Sequence, residues 1–199
     1  MANHLFVTPV LIFLCGILSI CGQNNDRRWI FGVNSSAVLF GKEGMGKVKD
    51  GLNAQFPNIQ ISRILTENFS VDFMYTFEAV NVIREINVFP YSSFDVYLRY
   101  NLPELFFNIV PFGGIGLGYI NGASSTPNPK ATLSLNLTVG GTLWVTERIG
   151  LTGRLIYKTV SSNSTSMASH IQGLAGVVYK FDVNLKFGEN RKRIWNRKH

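Results

Sequence analysis

Between Ser70 and Ala79 the chain changes character at every residue. Val71, Phe73, Tyr75, Phe77 and Ala79 fall on one side; Ser70, Asp72, Met74, Thr76 and Glu78 fall on the other. Successive side chains leave a β-strand on opposite faces, so a period of two marks a strand with one apolar and one polar face. The alternation returns in Ser93–Leu102, Ala131–Thr146, Ile149–Val160 and His170–Phe181. Two weaker segments, Trp29–Leu39 and Asn58–Leu65, and the glycine-rich Phe106–Ile120 bring the count to eight. No stretch carries a convincing helical period. Strands of about ten residues have the length needed to cross a bilayer at a tilt.

The connections sort by length. Thr66–Asn68, Pro103–Glu104 and Thr146–Arg148 are short, while Gly41–Pro57, Val80–Tyr91, Asn121–Lys130 and Ser161–Ser169 are long, and the two kinds alternate. Outer-membrane barrels have short periplasmic turns and longer outside loops. The expected fold is therefore all-β: an eight-stranded antiparallel up-and-down transmembrane barrel. An even strand number puts both mature termini on the periplasmic side.

Period two alone does not say which face is inside. A soluble lipocalin-like carrier also alternates, with its apolar face inward. Here the polar face holds Asp72, Glu78, Asp95, Arg99, Arg154, Lys158 and Lys180. Both signs are present, as in a lumen where charges pair with one another. The opposite face is assigned aromatics near strand ends, namely Trp29, Phe31, Tyr91, Tyr100, Tyr119, Tyr157, Tyr179 and Phe181, the pattern of an interfacial girdle. Charged residues make up only 16% of the chain and mean hydropathy is +0.13, yet no internal apolar run is long enough for a membrane helix.

The segments YSSFDVYLRYNL, VPFGGIGLGYI, LWVTERIGLTGRLIYK and SHIQGLAGVVYKF resemble the small eight-stranded outer-membrane barrel family, the OmpA-like barrel domain. The resemblance runs from about Trp29 to Phe187 and implies a bacterial outer-membrane location. It also implies that Gly176, Tyr179 and Phe181 form the signal read by the barrel-assembly machinery. The chain continues beyond Phe181, so the last strand ends there or runs on to Phe187. Many members carry a periplasmic peptidoglycan-binding domain, for which this chain ends too soon.

Three segments are expected. Residues 1–22 are read as a signal peptide cut before Gln23, although MANH carries little positive charge. Cys15 and Cys21 would leave with it, which excludes a disulfide scaffold. Alternatively Cys21 is a lipidation site, with Ile20 large for that role. Residues 23–187 form the barrel. Residues 188–199 form a basic tail in which Arg191, Lys192, Arg193, Arg197 and Lys198 surround Trp195. That tail is either a solvated end, an anchor on anionic lipid, or a dock for a periplasmic partner.

Other motifs fail on their chemistry. Gly41 to Lys47 matches most of a phosphate loop, but Val48 stands where Ser or Thr would hold magnesium. Gly114 and Gly116 begin a dinucleotide fingerprint that Tyr119 breaks. His4, His170 and His199 are too scattered for a metal cluster. Ser169 and His170 are neighbours, and adjacent strand residues point to opposite faces. The Asn-x-Ser/Thr patterns at Asn34, Asn68, Asn136 and Asn163 are short enough to arise by chance. No catalytic, cofactor or metal residues are assigned, and nucleic acid is not an expected partner. Gly114, Gly116 and Gly118 are read as lumen glycines leaving room for neighbours such as Tyr97 and Arg99. The expected role is a non-enzymatic structural or interaction barrel, not a general porin. Its partners are outer-membrane lipids, the assembly machinery and an envelope protein reached through loops or tail. The alternatives are a lipid-modifying outer-membrane enzyme, for which His170 is the one candidate, and the soluble carrier.

Overall fold

In the computed structural model the alternating segments become strands: β1 (Arg28–Phe40), β2 (Leu52–Ile64), β3 (Phe69–Thr76), β4 (Tyr91–Asn101), β5 (Ile109–Gly122), β6 (Thr132–Trp144), β7 (Ile149–Val160) and β8 (His170–Asp182). The structure describes residues 28–40, 52–77, 91–122, 131–161, 164 and 167–182. Each strand pairs antiparallel with the next, and the sheet closes into a barrel. At the seam, Gly32 of β1 lies against Val178 of β8, and Gly176 of β8 lies against Val33 and Asn34 of β1. Closure leaves no sheet edge, so the backbone can pair in a medium without water.

The faces settle the orientation. Ile115, Leu117, Leu133, Leu135, Val139 and Leu155 are exposed on the outside. Asn34, Asn58, Asp72, Asp95, Asn136 and Lys158 are buried within. Apolar-out and polar-in is the arrangement of a membrane barrel and the reverse of a soluble carrier. The short turns at 65–68, 102–108 and 145–148 lie at one end with the start of β1 and the end of β8. The strand ends that the longer connections join lie at the other.

Two strand starts and one side-chain face differ from the sequence reading in ways that matter. β2 begins at Leu52, inside what was expected to be a loop ending at Pro57. Pro57 is accommodated by a bulge: Asn34 pairs with Asn58 and Ser36 with Gln55, leaving Phe56 and Pro57 opposite Ser35 alone. A bulge is where a strand tolerates a residue without an N–H. β5 begins at Ile109, because Phe106–Asn108 form a short 3-10 turn in which Phe107 and Asn108 have φ of 64° and 58°. Tyr91 also points inward, fully buried, and does not belong to the outer girdle. It stands two residues before inward Ser93, so strand parity carries it to the same side.

Candidate functional site

The lumen contains the chemistry. Its lower ionic cluster, toward the short-turn end, centres on Asp72 of β3. Arg154 of β7 donates from Nη2 to Asp72 Oδ2 at 2.6 Å. Arg99 of β4 places Nη1 3.4 Å from the same oxygen and donates from Nε to Ser70 Oγ at 2.9 Å. The Phe112 ring lies 4.8 Å from each guanidinium carbon. Two guanidiniums thus share one carboxylate, with an aromatic face taking up part of the remaining positive charge.

The upper cluster centres on Asp95 of β4. Lys158 Nζ donates to Asp95 Oδ2 at 2.8 Å and to Ser93 Oγ at 3.0 Å. Asn136 Nδ2 donates to Asp95 Oδ1 at 2.8 Å and lies 3.2 Å from Tyr97 Oη. Between the clusters sits an apolar layer of Met74, Tyr97, Ile156 and Leu174. Toward the long-loop end a second apolar layer contains Val38, Phe40, Tyr91, Ile120, Val160 and Met167. His170 is buried beside it. The Ala168 carbonyl 2.9 Å from Nδ1 can only accept, so Nδ1 carries the proton and Nε2 accepts from Tyr91 Oη at 3.0 Å.

The glycines of PFGGIGLGYI now have neighbours. Gly114, Gly116 and Gly118 pair across to Arg99, Tyr97 and Asp95 respectively. A methyl built on Gly116 would stand 2.5 Å from Tyr97 Cδ1; one on Gly118 would meet Asp95 and stand 2.6 Å from Ser134 Oγ. The pattern repeats around the barrel. Phe112 pairs with Gly140 and Trp144 with Gly150, and a methyl on either glycine would lie within 3.0 Å of the opposing ring. Tyr97, Phe112 and Trp144 each rest on a bare patch of the adjacent strand.

The structure brings together Asp72, Arg99 and Arg154, and separately Asp95 and Lys158. Lys180 does not join them. It lies near the short-turn end of β8, with Nζ 4.8 Å from the centre of the Trp144 ring, too far along the strand to reach either carboxylate. Tyr179 and Phe181 face outward with stacked rings 6.3 Å apart. Ser169 and His170 do not touch: Ser169 Oγ accepts from the Val160 amide. Glu78, the segment 1–22, the phosphate-loop-like residues 41–47, Phe187 and the tail residues Arg191, Lys192, Arg193, Trp195, Arg197 and Lys198 lie outside the described residues. Parity put Ser70, Ser93 and Asn136 on the polar face, but the sequence reading named neither them nor Phe112 among the lumen contacts. Parity would have found Phe112, two residues before Gly114; its partners needed the register.

No protein-family model matches the chain, and no curated protein matches it. Solved structures do. The N-terminal β-barrel domain of Pseudomonas aeruginosa OprF aligns with a TM-score of 0.59 at 11% identity, covering 79% of this chain and all of that one. Neisserial surface protein A aligns at 0.52 and 12% identity, covering 78% of this chain and 97% of that one. Ail, the attachment invasion locus protein of Yersinia pestis, in complex with the heparin analogue sucrose octasulfate, aligns at 0.52 and 13% identity, covering 79% and 100%. The structural neighbours are small eight-stranded outer-membrane β-barrels, and the chain has their fold.

Proposed function

We propose that this chain is a closed-lumen barrel of the bacterial outer membrane, with both mature termini periplasmic. In this reading it is a non-enzymatic, membrane-held platform for its four long connections. The observation that carries the proposal is the filling of the lumen. Ionic clusters at Asp72 and Asp95 alternate with layers of large apolar side chains, and side chains suffice to fill an eight-stranded interior. A general diffusion pore needs a continuous aqueous path, which these layers oppose. The buried, doubly occupied nitrogens of His170 likewise oppose a role as a catalytic base. The assembly machinery is the expected partner during biogenesis, and an envelope protein or ligand at the loops or tail is the expected partner afterwards.

The protein reconstituted in planar bilayers and in proteoliposomes tests this. The expected outcome is no stable conductance and no swelling in isotonic sucrose. Steady sugar permeation would overturn the closed-lumen reading.

A further inference from the structure

The three short turns are not alike. Those at 65–68 and 145–148 open on an apolar residue, Leu65 and the exposed Val145, hydrogen-bonded to Phe69 and Ile149 as Leu105 is to Ile109, but they end in polar tips, Thr66, Glu67 and Asn68 in one and Thr146, Glu147 and Arg148 in the other. The β4–β5 turn also exposes Glu104 and Asn108, but it presents Leu102, Leu105 and Phe107, all exposed, with Phe107 at its tip 86% exposed.

Its backbone fixes where these side chains go. Leu105 forms an antiparallel bridge with Ile109, donating its amide to the Ile109 carbonyl at 2.7 Å. Directly paired residues project from the same face. Ile109 pairs in turn with Leu143, and Leu143 with Leu151, on the outer surface. Leu105 and Ile109 therefore extend the outward apolar band of Leu98, Tyr100 and Leu102 beyond the strand ends. Phe107 forms the tip. It is held there by two successive left-handed residues, and Asn108 Nδ2 reaches the Trp144 carbonyl at 3.5 Å. A contiguous exposed apolar patch marks a contact surface. Its continuity with the lipid-facing band selects the occupant.

We propose that the β4–β5 turn is an interfacial anchor, with Leu105 and Phe107 inserted among the lipids of the leaflet at the short-turn end. The proposal rests on the membrane-barrel reading. It assigns this turn an apolar inserted tip, Phe107, where the other two short turns carry Glu67 and Glu147.

Nitroxide labels test it, placed singly as Phe107→Cys, Glu67→Cys, Glu147→Cys and Leu117→Cys in the full chain carrying Cys15→Ser and Cys21→Ser. The protein is reconstituted in phosphatidylethanolamine–phosphatidylglycerol vesicles. Relaxation by oxygen is compared with relaxation by a water-soluble nickel chelate. The label at 107 is expected to favour oxygen several-fold more than those at 67 and 147, approaching the label at 117. A label at 107 that behaves like the one at 147, while 117 stays in lipid, would overturn the anchor and leave the membrane barrel intact. A chelate-exposed label at 117 would overturn both. Protection at 107 in native membranes but not in vesicles would make the occupant a protein and also overturn the proposal. Asn tolerates the left-handed backbone. Phe107→Asn should therefore keep the turn while shifting a label at Leu105→Cys toward water; an unmoved label counts against Phe107 as the anchor.

Discussion

Tyr97 lies on Gly116 because neither could take its place alone. The ring fills the space a side chain on Gly116 would occupy, and without the ring that space would be a void beside the Asp95 cluster. Gly116→Leu should therefore overpack the lumen at a cost of about 1–3 kcal/mol or more. Gly153, which faces outward with open space where a Cβ would go, should accept Ala with little change. Heat-modifiable migration and urea unfolding in vesicles would separate the two; equal behaviour would contradict the packing account. The Asp72 cluster makes a second prediction. Asp72→Ala leaves Arg99 and Arg154 buried beside each other without their shared carboxylate, which should cost roughly 3–5 kcal/mol. Arg154→Met should cost less, because Arg99 remains to neutralise Asp72. Unfolding midpoints in the reverse order would sink this assignment of roles.

At the scale of the strand, parity controls everything, and β2 shows how it is preserved around an awkward residue. Asn53 and Gln55 face inward before the bulge, and Asn58, Gln60 and Ser62 face inward after it, with Phe56 and Pro57 together on the outer side. Removing Pro57 restores one residue opposite Ser35 without moving any other side chain to the wrong face. That deletion should fold, retaining a heat-modifiable band. Removing Val96 from β4, whose register is unbroken, turns half of the strand inside out and should abolish the band. The alternation made the strands legible in the sequence wherever it was unbroken, as in β7, whose limits match the pattern from Ile149 to Val160. It failed at Pro57, since a bulge depends on the partner strand. It failed also at the β4–β5 turn, where Phe107 and Asn108 take a left-handed conformation that glycine would have advertised. Parity put Asp72, Asp95, Arg99, Arg154 and Lys158 on one face, and the structure buries all five. Which carboxylate meets which cation was not legible, because Asp72 and Arg154 come from strands that are not neighbours.

Among the described residues the barrel depends on the closing contact between its first and last strands. Gly176 sits at that contact: a side chain there would strike the Val33 carbonyl and stand 2.6 Å from Asn34 Cα, both on β1. These are backbone atoms, which cannot move aside as a flexible side chain can. The resemblance to known barrels implies a second role for Gly176, as part of a signal read by the assembly machinery together with Tyr179 and Phe181. The two explanations predict different things. If closure is the reason for the glycine, Gly176→Leu should fail to fold even in purified form, diluted from urea into vesicles where no machinery is present. Tyr179→Ala and Phe181→Ala, whose side chains face outward, should then still close in vesicles and lose only efficiency of insertion in cells. Electrophoresis of unheated samples reads the closed barrel in both settings. A Gly176→Leu protein that folds normally in vesicles but not in cells would show that the glycine serves recognition and that the seam tolerates a side chain. Failure in both settings would place the requirement in the geometry of the β8–β1 junction, where the edges of the sheet must meet for any of the backbone along them to be satisfied within the membrane.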